Sequence, residues 1–237
     1  MIEGEMSNMI FDSNYLLLVF IPTLILSGLA QLYVRSAYSR WSNERNSSGL
    51  SGLQVAERIF RSTSLRPVNI EGTPGEMTDH YDPGSNVVRL SQGSASVPSV
   101  AAMAIVAHEL GHVEQYQQQS PLIQARQFLV PAVRFSPTIG YLMIMLGLLL
   151  RFTELIWLGV IVFGLMVVFM ILTLPVEIDA SRRAMRLLRE SGLLQTEADA
   201  GGARSVLTAA AMTYFAAAVS ALLTLLYYIS LASRSRR

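Results

Sequence analysis

The feature that most constrains this chain is a set of long apolar runs, at residues 15–34, 137–150, 155–174 and 203–231. A hydrocarbon core about 30 Å thick is crossed by roughly 20 apolar residues in a helix. Inside that core each backbone amide must find its partner within the chain, so runs of this kind fold as helices. The runs at 15–34 and 155–174 have the required length, and 203–231 exceeds it. The run at 137–150 is short unless its helix begins near Phe128. Composition follows from these runs. The 237 residues are 51% hydrophobic and only 15% charged, where a soluble domain carries about 25% charged residues.

The expected fold is therefore mainly α, with a small β hairpin or sheet and about four transmembrane helices. Pro22 and Gly28 are tolerable inside the first span. A cleaved signal peptide fits poorly, because the acidic Glu3, Glu5 and Asp12 precede the run and no basic residue does. Arg35, Arg40 and Arg45 follow the run and place the next loop in the cytoplasm. With four spans Arg182, Arg183, Arg186 and Arg189 are cytoplasmic too, whereas Arg234, Arg236 and Arg237 fall outside, against the rule. The expectation is a multi-pass protein of the cell membrane with its active site on the cytoplasmic face. A formal charge of +1 gives no electrostatic reason for a nucleic-acid partner. The absence of cysteine excludes disulfides and thiolate metal sites, so a metal must be held by His, Asp or Glu.

The chain reads as one membrane domain, residues 1–237. It holds an anchor at 15–34, a catalytic portion at 50–130, a transmembrane hairpin at 137–174, a helix at 175–200 and a last transmembrane helix at 203–232. Within the catalytic portion, residues 51–65 have helical periodicity, with Leu53, Ala56, Ile59 and Phe60 on one face. Residues 68–70 and 86–90 are strand candidates, separated by the turn signals Thr73-Pro-Gly and Asp82-Pro-Gly, and they suggest a hairpin ahead of a helix. That helix should start near Ser96, with Pro98 in its first turn, and run through His108-Glu-Leu-Gly-His112 into a polar end at Glu114, Gln115, Gln117, Gln118 and Gln119. Residues 122–130 suit a short helix along the membrane surface.

Histidines four apart on a helix share a face one turn apart, so both imidazoles of His108 and His112 reach a single zinc ion. Glu109 projects beside the ion and suits a general base for water held there, returning the proton to the leaving amine. Gly111 leaves room for another element to approach closely. A catalytic zinc takes a third protein ligand. The candidates are His80 and a carboxylate, with Glu177 foremost because it emerges from a span on the same side as His108. Asp179 suits a supporting bond to a ligand imidazole. His80 sits in Asp79-His-Tyr-Asp-Pro-Gly84, where a plain turn and a place near the cleft with Tyr81, steadying an oxyanion, are both open. The nearby strands also suit a peptide substrate added along a sheet edge.

Several segments in order resemble the YugP-like neutral zinc metallopeptidases, which are bacterial membrane proteins. They are Ser51-Gly-Leu-Gln-Val-Ala-Glu-Arg-Ile, Asp79-His-Tyr-Asp-Pro, Asn86-Val-Val-Arg-Leu-Ser91, Val106-Ala-His-Glu-Leu-Gly-His112, Leu174-Pro-Val-Glu-Ile-Asp-Ala-Ser181 and Gly202-Ala-Arg-Ser-Val-Leu-Thr-Ala-Ala-Ala211. The resemblance implies a gluzincin-like, zincin-type centre with one Zn²⁺ and leaves the target open; the expected substrate is a membrane-associated peptide or protein. Distant gluzincins of the membrane, such as CAAX prenyl peptidases, take a glutamate on a later helix as third ligand, with an aspartate four residues beyond. Glu177 fits that glutamate, but the position four beyond is Ser181.

Three other functions fit the sequence less well. A site-2-type intramembrane protease would bury its motif in a full apolar span, whereas here the helix turns polar just after His112. An inactive zinc-binding scaffold has no need of Glu109. A metal transporter would carry ionisable residues within its spans, and these spans are nearly free of them.

Overall fold

The computed structural model describes residues 13–235, so Glu3, Glu5, Asp12, Arg236 and Arg237 lie outside the described residues. It is mainly helical with one small sheet, and its contacts divide it into two compact units. One takes the described residues up to Ala30, then Ala125–Leu174 and those from Thr213 on. The other takes Gln31–Gln124 and Pro175–Met212.

The first unit is built from the apolar runs. Helices α1 (Ser13–Ser42), α7 (Thr153–Glu190) and α8 (Glu197–Arg234) are each long and apolar enough to cross a membrane. Between α1 and α7 stand α5 (Pro121–Val133) and α6 (Ser136–Leu149), which reach spanning length only as a pair bent by 45°. Pro131 within α5 and Pro137 at the start of α6 flank the bend. Each lacks the N–H that would continue the helical ladder. The apolar run at 137–150 is thus completed by the helix before it, across a break. Large apolar side chains such as Leu17, Leu150 and Ile161 face outward. A water-soluble unit would bury much of that surface. The backbones of α6 and α7 meet at a pair of glycines. A Cβ on Gly159 would lie 2.7 Å from the Gly140 carbonyl oxygen, and one on Gly140 would lie 2.9 Å from that of Gly159. Small residues let helices approach this closely where no hydrophobic force drives them together.

The second unit has a dry core drawn from far-apart segments. Val55 and Ile59 of α2 (Gly52–Ser62), Val88 and Leu90 of the strand Val87–Ser91, Met103 and Leu110 of the helix Val100–Gln117, and Leu187 and Leu188 of α7 are all essentially inaccessible. Helix α2 starts in a capping box, Ser51 with Gln54. It ends at Ser62, three residues before the expected end at Leu65. Its buried side runs through Gly52, Val55, Ala56 and Ile59, and Leu53, expected on the apolar face, is exposed.

The sheet has three strands, β1 (Asn69–Thr73), β2 (His80–Asp82) and β3 (Val87–Ser91), in the order β1-β3-β2. The two expected strands do not form a hairpin together, because β1 and β3 run parallel. The hairpin is β2 with β3, and β2 occupies residues whose composition reads as a turn. The Asp82 side chain accepts from the Gly84 amide at 2.9 Å, and Asn86 takes a left-handed φ of 54°. The turn chemistry therefore belongs to residues 82–86, and His80 stands on the strand before it.

The helix expected near Ser96 is divided. A short α3 (Gln92–Ser96) ends before Pro98, and α4 (Val100–Gln117) begins after Ser99, whose hydroxyl accepts from the Ala102 amide at 3.1 Å.

Candidate metal centre

Helix α4 is buried along nearly all of its first three turns by small or apolar residues, so His108, Glu109 and His112 project from a fixed rod. The rings of His108 and His112 stand edge to face with centroids 4.8 Å apart. Facing them is Glu177 of α7, beyond the apolar run that ends at Leu174. Its Oε2 lies 3.3 Å from His108 Nε2 and 3.5 Å from His112 Nε2. Donor atoms of these three residues all lie within 4.8 Å of one another, and they are the group among the described residues that suits a metal ion.

Gly111 is what lets the two helices close. A Cβ there would sit 2.5 Å from the Ala180 carbonyl oxygen, so any side chain would push α7, and Glu177 with it, off α4. Glu177 is buried. Burial alone would raise its pKa, but the two imidazoles against it outweigh that and hold its carboxyl well below the usual range. Burial likewise opposes a charge on His112, yet Glu177 and Glu109 outweigh it and raise its pKa.

The far ring nitrogens are occupied too. Ser181 Oγ stands 3.3 Å from His108 Nδ1. On the other imidazole, Gln115 Oε1 stands 3.0 Å from His112 Nδ1. Gln115 is fully buried, and its Nε2 donates to the Val176 carbonyl oxygen at 2.9 Å and to Asp179 Oδ2 at 2.7 Å. Both those partners are acceptors only, which fixes which end of the carboxamide is nitrogen. Its oxygen must then accept, so His112 carries a proton on Nδ1, and Nε2 is the nitrogen that faces Glu177 and is left for a metal. Asp179 is held in turn by Arg183 Nε at 2.7 Å, and Arg183 continues to Glu114 Oε2 at 2.9 Å. Asp179 does not meet an imidazole directly, the role the sequence suggests for it; it accepts from Gln115 instead. Gln115 itself escapes the sequence reading, although its position three residues after His112 puts both on one helix face.

Glu109 is buried, and its Oε2 accepts the backbone N–H of Tyr81, in β2, at 2.8 Å. In an antiparallel pair successive residues point alternately toward and away from the partner strand, so this N–H faces away from β3, on the free edge of the sheet. The Tyr81 hydroxyl donates to Asn86 Oδ1 at 2.7 Å. His80 is exposed, its Nδ1 lies 2.8 Å from the Thr78 carbonyl oxygen, and it stands outside the three-residue donor group.

The donor set fits zinc: two imidazole nitrogens and one carboxylate oxygen are borderline and hard ligands of the kind Zn²⁺ takes in catalytic sites, with a fourth position left for water or substrate. Comparison with known proteins agrees with this chemistry. The chain is 38% identical over 209 residues to "Putative membrane protease YugP" of Bacillus subtilis (strain 168), covering 88% of this chain and 92% of that protein. No solved structure matches the chain. A family model described as "Putative neutral zinc metallopeptidase" matches residues 16–233, nearly the whole length, and the chain belongs to that family.

Proposed function

We propose that this chain is a zinc-dependent membrane metalloendopeptidase that hydrolyses peptide bonds of membrane or membrane-proximal proteins. His108, His112 and Glu177 hold the ion, and Glu109 is the general base. The observation that carries the reading is the convergence of those three donors from α4 and α7, with Glu109 on the same helix between the histidines. When bound, the zinc supplies a Lewis acid for the scissile carbonyl and makes a water acidic enough to attack near neutral pH.

The chain's own residues account for the rest. Glu109 takes the proton of the attacking water on its carboxylate and delivers it to the departing amine. The Tyr81 N–H holds this carboxylate in place through Oε2, which leaves Oε1 well suited to carry the proton. Gln115 and Ser181 aim the imidazoles, and the free edge of β2 beside Glu109 suits an extended peptide. A glutamate delivered by a later helix supports a gluzincin-like class, and the small sheet beside the motif helix supports a zincin-like catalytic portion. Membrane-associated substrates are supported by the apolar unit and by the relative's description as a membrane protease.

The test is metal analysis and proteolysis by the purified full chain and its Glu109→Gln variant. Both proteins should contain about one zinc, and the variant should lose at least roughly a hundredfold in cleavage rate. Wild type without zinc, or a variant that cuts equally well, overturns the reading. Glu177→Ala should lose the metal, and His80→Ala should keep it.

A further inference from the structure

Beside the metal centre lies a cavity of about 360 Å³ lined by Arg66, Pro67, Tyr81, Asn86, Tyr116 and Gln117. None of these residues is in the proposed ligand set. The wall is firmly built. The Gln117 carboxamide donates to the Arg66 carbonyl oxygen at 2.8 Å and accepts from the Arg66 amide at 3.0 Å, pinning the loop to α4 as a neighbouring strand would. Pro67 stiffens the same loop. The rings of Tyr81 and Tyr116 meet edge to face at 5.3 Å. The Tyr81 hydroxyl occupies Asn86 Oδ1, which leaves the Asn86 NH₂ as a donor toward the cavity.

The polar groups left for a ligand are predominantly donors. They are the five N–H bonds of the Arg66 guanidinium, the Asn86 amide and the Tyr116 hydroxyl. The bonds of Arg66 among the described residues run through its backbone and leave the guanidinium unpaired. A planar guanidinium with flanking donors matches a carboxylate, which it binds through two parallel hydrogen bonds. The cavity is also tied to the chemistry by one residue: Tyr81, whose side chain lines it, gives its own backbone N–H to Glu109. A group seated here belongs to the same bound peptide, close to the bond being cut.

We propose that this cavity is a substrate subsite in which Arg66 receives a carboxylate, either an acidic side chain or the free C-terminus of the peptide. The inference rests on the peptidase reading. The test measures binding and cutting separately, at one fixed low salt concentration because the contact is ionic. Three fluorescent peptides differ only in one glutamate with an amidated end, glutamine with a free C-terminal carboxylate, and glutamine with an amidated end. Their binding to the zinc-loaded Glu109→Gln protein is read by anisotropy, and their cleavage by the wild type is read by mass spectrometry.

One of the two carboxylate peptides should bind roughly tenfold tighter than the neutral one, and which of them leads identifies the source. The preference should vanish in Glu109→Gln carrying Arg66→Gln, and turn toward a lysine peptide with Arg66→Glu. Arg66 is exposed, so both changes should leave thermal unfolding where it is. Equal binding of all three peptides, or a preference that survives Arg66→Gln, overturns the subsite. The two readings fail apart: preferential binding with no cutting removes the peptidase and keeps the site, whereas cutting without preference removes the site and keeps the peptidase.

Discussion

A histidine offers a metal one ring nitrogen, and the bond made by the other nitrogen decides which tautomer is on offer. In this chain Gln115 makes that decision for His112, and the same carboxamide grips the Val176 carbonyl next to Glu177. One buried side chain thus ties His112 on α4 to the backbone beside Glu177 on α7, two of the proposed ligands. Gln115→Leu keeps the volume and removes all three bonds. It should weaken zinc affinity by about 10–100-fold, measured by competition with a chelator. It should also cost about 1–3 kcal/mol of stability, because Asp179 and the Val176 carbonyl lose a partner. Unchanged zinc affinity would return Gln115 to a purely structural role. His108, Glu109 and His112 are legible in the sequence because their relation is local, fixed by helical spacing. Gln115 is not, since its partners on α7 stand 61 and 64 residues away, and no periodicity reports a contact of that range.

Elements follow the same division. The motif helix, the capped start of α2 and the apolar helices are readable from local pattern, whereas β2 is not. Its three residues carry turn chemistry, and it becomes a strand only because β3 pairs with it on one side and Glu109 takes its N–H on the other. The hairpin depends on Asp82, whose carboxyl lies well below the usual range because Arg89, Ser85 and the Gly84 amide all donate to it. A carboxyl lowered in the folded state stabilises above its unfolded pKa of about 3.9, and that contribution disappears as pH falls through the folded value. Hydrogen exchange at β2 should therefore quicken relative to β1 below about pH 4, and Asp82→Asn should bring the faster exchange to neutral pH. At the contact of α4 with α7, Gly111→Ala forces a Cβ against the Ala180 carbonyl. We expect a loss of about 1–3 kcal/mol, of the size found for overpacked interiors, read by thermal unfolding, with a fall in zinc content. A Gly111→Ala protein as stable and as zinc-rich as wild type would mean that the helices close by another route.

At the scale of the whole chain, the core shared by two distant segments constrains how many times the chain can cross a bilayer. Gln31–Gln124 and Pro175–Met212 share a single core, with Leu187 and Leu188 packed among Val55, Met103 and Leu110. Both segments must then lie on one side of any membrane, so the residues between them cross it an even number of times. Helix α7 is long and apolar enough for one crossing, and the bent pair of α5 and α6 together reaches the length of a second. We propose four spans, α1, the bent pair, α7 and α8, with the shared core placed in the cytoplasm by Arg35, Arg40 and Arg45. The chain has no cysteine, so single introduced thiols report sidedness cleanly. Glu57→Cys, exposed on α2, should resist a membrane-impermeant maleimide in intact spheroplasts and react after permeabilisation. Ser235→Cys, exposed past the end of α8, should react in intact spheroplasts, even though the arginine beside it favours the inside. If both thiols react from the same side, α8 does not cross. If the pattern is reversed, the unit that holds His108, His112 and Glu177 faces outward and the arginine rule fails at both ends.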